Sequence, residues 1–128
     1  MNKYIIGIAI LLILDLLWIT YYMNAQYRVQ VKKIQKSDMK INSIAGVFAY
    51  LLMVLGLIVF VLPQIRKDHA FTDSLIYGFL FGIVMYGVYD FTSAAVFKDW
   101  NMSLALIDVL WGGTVFFLSA YIATKLGN

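Results

Sequence analysis

The sequence contains no cysteine, one proline (Pro63) and one histidine (His69) among its 128 residues. The absence of cysteine excludes disulfides, thiolate metal sites and a thiol nucleophile. His69 stands in a short polar segment between hydrophobic runs, where a solvated side chain is more common than a ligand or a base. No Gly-x-Ser-x-Gly nucleophile motif is present. The sequence therefore gives little support for an enzyme, and it predicts no cofactor.

Charged residues are also scarce, at 13%, whereas hydrophobic residues make up 62%. A soluble domain has about 25% charged residues, so this balance is typical of a membrane protein. The net charge is only +3, and the basic residues are concentrated in one segment. A basic face with interleaved aromatic residues is missing, which argues against a nucleic-acid partner.

Four hydrophobic runs predict four transmembrane helices within one domain covering residues 1–128. The first run, from Tyr4 to Tyr22, would span roughly 28 Å, close to the hydrocarbon thickness of a bilayer. It is too long for a signal peptide and lacks a cleavage site flanked by small residues. Pro63 follows the second run, where a helix should stop. We predict an all-α bundle with transmembrane helices at about residues 4–23, 43–62, 74–97 and 102–124.

Smaller signals accompany these runs. The second run carries no ionisable residue, so we assign it a scaffold role. Thr72 or Asp73 can cap the third helix, and Asn101 can cap the fourth. Gly78-x-x-x-Gly82 gives the third helix a smooth face for a neighbouring helix.

The connection over residues 24–42 is strongly basic, with Asp38 as its single acid. Tyr27, Val31 and Ile34 follow a helical spacing, which predicts a short amphipathic helix at the membrane interface. Two interpretations are open at this stage: a solvated basic loop, or a segment that binds anionic lipid. The basic residues are Arg28, Lys32, Lys33, Lys36 and Lys40.

Four spans place both termini on one side of the membrane, which we call the terminal face. The 24–42 connection and the turn at Lys98 lie on the opposite side, the loop face. The loop face carries six lysine and arginine residues, and the terminal face carries four: Lys3, Arg66, Lys67 and Lys125. The positive-inside rule therefore predicts that the loop face is cytoplasmic and that the termini lie outside.

Three aspartates, Asp15, Asp90 and Asp108, interrupt the hydrophobic runs. Insertion scales give a cost of about 2.5–3.5 kcal/mol for an aspartate at the centre of a membrane helix. A hydrogen bond between membrane helices contributes only about 0.6 kcal/mol, which favours a functional role over a purely structural one. Each aspartate lies six or seven residues from the loop-face end of its span, so we predict one cluster about 10 Å inside that face. The spans contain no basic residue, so a proton or an external cation must neutralise the cluster.

Aromatic and hydroxyl side chains accompany these acids. Leu14-Asp15-Leu16-Leu17-Trp18 is echoed by Ile107-Asp108-Val109-Leu110-Trp111, and each indole lies one helical turn from its carboxylate. The two helices are antiparallel, so the echo suggests two inverted half-sites. An all-oxygen cluster suits protons, Na⁺, Mg²⁺ or Ca²⁺ better than zinc or copper, and the metal, if any, is unknown. The predicted hydroxyl donors are Tyr86, Tyr89, Thr92 and Ser93.

Three motifs mark the second half of the chain: Tyr89-Asp90-Phe91-Thr92, Lys98-Asp99-Trp100 and Ile107-Asp108-x-x-Trp111-Gly112. Through them residues 75–123 resemble a family of small bacterial membrane proteins catalogued as a domain of unknown function, with related sequences in some large DNA viruses. The resemblance implies a four-span membrane protein and brings no established activity. The chain departs from the family pattern at Ser93, where asparagine is usual, and at Asn101, where proline is usual.

The expected function is a small transport or channel-type protein for protons, a small cation or a cationic solute. Asp15, Asp90 and Asp108 would engage the cation, and Trp18 and Trp111 would wall the site. Because four helices are few for a transport path, a homo-oligomer is expected. The alternatives are a structural or assembly protein of a bacterial or viral membrane, and a lipid-modifying membrane enzyme that uses paired carboxylates.

Overall fold

The computed structural model describes residues 1–40 and 42–128, and this part of the chain is helical without strands. Its four long helices are each long and apolar enough to cross a membrane. The predicted fold class, an all-α bundle of four membrane helices, is confirmed. The helices are α1 Lys3–Gln35, α2 Ser43–Gln64, α3 Lys67–Val96 and α4 Met102–Leu126.

Helix α1 continues well beyond its predicted end at residue 23. A regular segment, Lys3–Trp18, leads through a wider π-helical turn, Ile19–Met23, into a second regular segment, Asn24–Gln35. At about 1.5 Å per residue, α1 is about 50 Å long and exceeds a hydrocarbon layer of about 30 Å. The segment Asn24–Gln35, which we call the α1 extension, therefore projects beyond the loop face. The basic connection over 24–42, in which we predict a short amphipathic helix, is helical as far as Gln35, and its residue 41 lies outside the described residues.

Helix α2 packs closely against the bundle over its second half only. It begins after Asn42, whose side chain accepts a hydrogen bond from the Ala45 N–H at 3.1 Å. Residues between Ser43 and Leu52 are mostly exposed, whereas Gly56, Leu57 and Val61 are buried. The loop-face half of α2 therefore leans away from its neighbours. Its segments are Ser43–Gly56, a π-helical turn Leu57–Val61 and a 3₁₀ turn Leu62–Gln64.

Helix α3 begins seven residues earlier than the predicted start at residue 74. Asp73, expected to be able to cap this helix, instead accepts hydrogen bonds from Arg66 Nε at 2.9 Å and Nη2 at 3.1 Å. This contact with Asp73 raises the pKa of the Arg66 guanidinium. The ion pair fixes the α2–α3 connection at the terminal face. The segments of α3 are Lys67–His69, Ala70–Asp73, a π-helical turn Ser74–Phe79 and Leu80–Val96.

Helices α3 and α4 approach each other closely through glycine. A Cβ atom built on Gly82 would lie 2.0 Å from the Gly112 carbonyl oxygen, and one on Gly78 would lie 3.0 Å from the Phe116 carbonyl oxygen. The predicted smooth face at Gly78-x-x-x-Gly82 is thus used against α4. Asn101 caps α4, as expected, by accepting a hydrogen bond from the Leu104 N–H at 3.1 Å.

The two halves of the bundle have different interiors. Leu11, Leu57, Val61 and Phe116 are fully buried in an apolar cluster that fills the half nearer the terminal face. In the half nearer the loop face, the buried residues include all three membrane aspartates. The candidate site therefore lies in the loop-face half of the membrane, and the apolar cluster separates it from the terminal face.

Candidate functional site

Asp15 on α1 receives hydrogen bonds from each of the other three helices. Tyr50 of α2 donates its O–H to Oδ2 at 2.8 Å, and Trp111 of α4 donates its Nε1–H to Oδ1 at 3.0 Å. Tyr86 of α3 also donates its O–H to Oδ1. The Asp15 side chain is almost fully buried, and it joins the four helices at this level of the membrane.

Asp108 on α4 is bonded to the tryptophan of the other motif. Trp18 of α1 donates its Nε1–H to Asp108 Oδ1 at 3.1 Å. The rings of Trp18 and Trp111 stack with centroids 4.7 Å apart and planes inclined by 7°. Each Asp-x-x-Trp motif thus supplies an indole to the carboxylate of the other motif. We call these four residues the crossed Asp–Trp pair, and their arrangement matches the inverted half-sites that the sequence suggests.

Asp90 on α3 is the most enclosed of the three acids. Its side chain is fully buried, and neither carboxyl oxygen has a hydrogen-bond partner in the described part of the chain. Its carboxyl neighbour is Asp108, and Tyr27 and Tyr89 also lie near it. Ser93, one turn later, is also buried. Asp90 therefore adds a carboxyl group on α3 beside the crossed pair. Asp90 and Asp108 are neighbours, and the four hydrophobic runs contain no basic residue that could neutralise them.

A cleft of about 410 Å³ opens where α2 leans away from α1 and α3. Asp15 and Asp108 lie at its floor, and most of its remaining walls are apolar or aromatic. A Cβ atom built on Gly46 of α2 would meet nothing within 4 Å, which shows how open this side is. No lysine, arginine or histidine is among the described residues that line it. We call this space the aspartate cleft.

Aromatic rings close the loop-face end of the aspartate cleft. Tyr27 of the α1 extension and Tyr89 of α3 line the cleft. The ring of Trp100, in the α3–α4 turn, lies 6.5 Å from Tyr27, 6.4 Å from Tyr89 and 5.6 Å from Phe97, between centroids. The turn and the α1 extension are therefore held together above the site.

The structure brings together most of the residues that the sequence selects. Trp18, Tyr86 and Tyr89 line the cleft with Asp15 and Asp108. Thr92, in contrast, lies on the exposed side of α3 and is absent from the cleft lining. Asp90 is a neighbour of Asp108 but does not itself line the cleft.

Two contributors were missed by the sequence analysis. The sequence suggests only a scaffold role for helix α2, because its hydrophobic run carries no strongly ionisable residue. In the structure, however, the Tyr50 hydroxyl of α2 donates a hydrogen bond directly to Asp15. Tyr27 was placed in the basic connection, although it lines the cleft. A lone tyrosine in an otherwise apolar run is the signal that could have identified Tyr50, since a buried hydroxyl needs a partner.

The acids do not form a carboxylate-rich metal site. In the residues that the structure describes, no group of three or more histidine, cysteine, aspartate or glutamate side chains could hold a metal ion. What the cleft offers is two carboxyl groups, tyrosine hydroxyls and aromatic ring faces. This set can neutralise a cation and cover its apolar parts.

The model of a family described as predicted membrane proteins, DUF2177, matches residues 1–125. The chain belongs to this family. Membership confirms the resemblance found in the sequence and supports an integral membrane location. Searches of the curated proteins and of the solved structures gave no match. The feature of this family member that bears most directly on function is therefore the aspartate cleft.

The basic residues of this family member lie outside the cleft. All five predicted lipid-facing cations are exposed, three on the α1 extension and two just beyond its end. Lys32 pairs with Asp38 at 3.5 Å, and Arg28 Nε donates to Asn24 Oδ1 at 3.2 Å. The remaining cationic groups face the surroundings at the loop face.

Proposed function

We propose that this protein binds small organic cations in the aspartate cleft and carries them across the membrane. The observation that supports this function is the position of Asp15 and Asp108 at the floor of a mainly apolar cleft, whose lining among the described residues includes no cationic side chain. The attraction between a carboxylate and a cation is much stronger in a low-dielectric site than in water. The tyrosine rings that line the cleft, such as that of Tyr89, add a cation–π contact for a bound ammonium group.

The lining favours an organic cation over a bare metal ion. Ca²⁺ takes six to eight oxygen ligands and Mg²⁺ requires near-octahedral geometry, which two carboxyl groups alone do not provide. The cleft volume of about 410 Å³ lies within the range of small-molecule pockets, about 300–1,000 Å³. Met53 and Met85 line it with flexible side chains that adapt to apolar groups. An amine with an apolar body fits this chemistry.

The shape of the bundle favours a carrier over a channel. Leu11, one turn before Asp15, belongs to the apolar cluster with Leu57 and Phe116, and all three are fully buried. This cluster lies between the cleft and the terminal face. A carrier must close the loop face and open the terminal face in turn, and the loosely packed first half of α2 is the element best suited to close over the cleft.

Uptake of radiolabelled tetraethylammonium into proteoliposomes tests this function. We expect saturable uptake by the parent protein and at least a tenfold loss in Asp15→Asn, which keeps the side-chain shape but removes the charge. Asp68→Asn is the matched control, because Asp68 is exposed at the terminal face and outside the cleft. Uptake that is equal in the parent, in Asp15→Asn and in empty vesicles would refute the proposal.

A purely structural role is the second candidate, and the hydrogen bonds at Asp15 favour it. Three donors from three helices already surround this carboxyl group. In this case Asp15→Asn would lower the melting temperature, and no cation would change the stability of the parent. The same purified variants therefore distinguish an assembly protein from a cation carrier.

Two kinds of partner fit the remaining surfaces of the protein. We propose that Arg28, Lys36 and the neighbouring lysines bind anionic lipid, since all are exposed beyond the loop face. We further propose a homo-oligomer, because four helices leave little room for a transport path. Flotation with vesicles that contain or lack phosphatidylglycerol tests the first proposal, and native mass spectrometry of detergent complexes tests the second.

A further inference from the structure

A second recess, separate from the aspartate cleft, lies where the α1 extension meets the α3–α4 turn. Its volume is about 430 Å³. Ala25 and Leu104 line its inner end, and Gln30, Lys33 and Asp99 supply its polar groups. We call it the Gln30 recess. It shares no lining residue with the aspartate cleft.

Gln30 carries an amide donor that lacks a partner. Its Oε1 accepts a hydrogen bond from the Asn101 N–H, which fixes the orientation of the amide because only the oxygen can accept. The Nε2 group is buried and has no hydrogen-bond partner in the described residues. The side chain as a whole is 5% exposed. A ligand oxygen in the recess would satisfy this donor, whose isolation otherwise destabilises the fold.

The recess also contains one charge of each sign. Lys33 on the α1 extension and Asp99 in the turn both line it. A ligand that fits must therefore offer an anionic oxygen to Lys33 and Gln30, and a cationic hydrogen-bond donor to Asp99. A phosphate group joined to a primary ammonium group has this combination.

The depth of the recess points to a membrane lipid as the source of that ligand. With α1 entering the membrane near Lys3, about twenty residues cross the hydrocarbon layer, so the layer ends near Met23. Ala25 then lies at the edge of the hydrocarbon, and Lys33 lies beyond it. Asp99, three residues before the start of α4, is also on the loop face. The recess thus extends from the acyl-chain boundary into the headgroup layer.

We propose that the Gln30 recess binds the headgroup of a phospholipid with a primary amine, such as phosphatidylethanolamine. Gln30 Nε2 and Lys33 hold the phosphate, Asp99 accepts from the ammonium group, and Ala25 and Leu104 contact the start of the acyl chains. The bound lipid bridges the α1 extension and the α3–α4 turn. This site is independent of the proposed transport and differs from a diffuse attraction of basic residues to anionic lipid.

Native mass spectrometry of the purified protein tests this site with an equimolar mixture of three lipids with identical acyl chains. These are phosphatidylethanolamine, phosphatidylcholine, whose methylated amine cannot donate a hydrogen bond, and phosphatidylglycerol, which has no amine. We expect at least fivefold preference for phosphatidylethanolamine over each of the others. Equal retention of the three lipids, or no retained lipid, would overturn the proposal.

Variants assign the preference to the recess. Asp99→Asn, tolerated at the left-handed φ of 66°, should abolish the preference over phosphatidylglycerol. Gln30→Glu keeps an oxygen that can accept from the Asn101 N–H but replaces the Nε2 donor to the phosphate. Lys33→Gln removes the positive charge beside the phosphate. Each change should reduce lipid retention at least threefold. Lys125→Gln, an exposed lysine at the terminal face and outside the recess, is the control and should bind like the parent. If Gln30→Glu fails to fold, the other two variants decide: an unchanged preference in Asp99→Asn together with unchanged lipid retention in Lys33→Gln would refute the site.

Discussion

Within the crossed Asp–Trp pair, the two carboxyl groups depend on their indole partners to different degrees. Asp15 keeps two tyrosine donors when Trp111 is removed, whereas Trp18 is the one side chain that meets the geometry of a donor to Asp108 among the described residues. A buried acceptor that loses its partner is costly, so the two tryptophans should not be energetically equivalent.

We predict that Trp18→Phe destabilises the protein more than Trp111→Phe. Both changes keep an aromatic ring for stacking, and each removes one interhelical hydrogen bond, worth about 0.6 to 1.7 kcal/mol. Unfolding in mixed micelles would measure both free energies. Trp100→Phe is the control, since Trp100 makes aromatic contacts but no side-chain hydrogen bond in the described residues. A larger loss in Trp111→Phe would show that the asymmetry at Asp108 is unimportant.

Among the helices, the contact between α3 and α4 has the least tolerance for added volume. We predict that Gly82→Ala destabilises the bundle by at least about 1–3 kcal/mol, the usual range for overpacking. Its added methyl group would meet the Gly112 backbone, which cannot rotate away. Gly46→Ala is the control, because the space beside Gly46 is open and little change is expected. Melting temperatures in detergent would check both, and a stable Gly82→Ala variant would contradict the close packing.

The sequence predicts those features of the helices for which a residue pattern has a single structural explanation. Hydrophobic runs predict the spans, Asn101 predicts a cap, and Gly78 with Gly82 predicts close packing; all three are seen. The sequence predicts a short helix after Met23, but its continuity with α1 could not be predicted, because the same amphipathic spacing suits a separate interfacial helix and an extension of α1 equally. Tyr50 was missed because only the packing of α2 against α1 shows that its hydroxyl meets Asp15.

For the whole molecule, the side of the membrane on which the loop face lies can be tested directly, because the chain has no cysteine. We predict that a cysteine replacing Ser37 reacts with a membrane-impermeant maleimide only after the cell membrane is opened. A cysteine replacing Asp68, at the terminal face, should react in intact cells. This pattern follows from the excess of lysine and arginine on the loop face. The reverse labelling pattern would place both termini in the cytoplasm.

The half of the molecule nearer the terminal face is apolar and closed. The half nearer the loop face contains the aspartate cleft, which is open beside α2. The aspartate cleft places Trp18 next to both carboxyl groups, so binding of a cation should alter the fluorescence of this residue. Equilibrium binding can therefore be followed separately from transport, in detergent and without vesicles.

The most direct test is a titration of tryptophan fluorescence with tetraethylammonium and with a neutral alcohol of similar size. The parent and Asp68→Asn should bind the cation at least tenfold more tightly than the alcohol, a difference of about 1.4 kcal/mol. Asp15→Asn and Asp108→Asn should lose this preference while remaining folded. A parent protein that responds equally to both compounds, or folded aspartate variants that keep the preference, would contradict a cation site in the aspartate cleft.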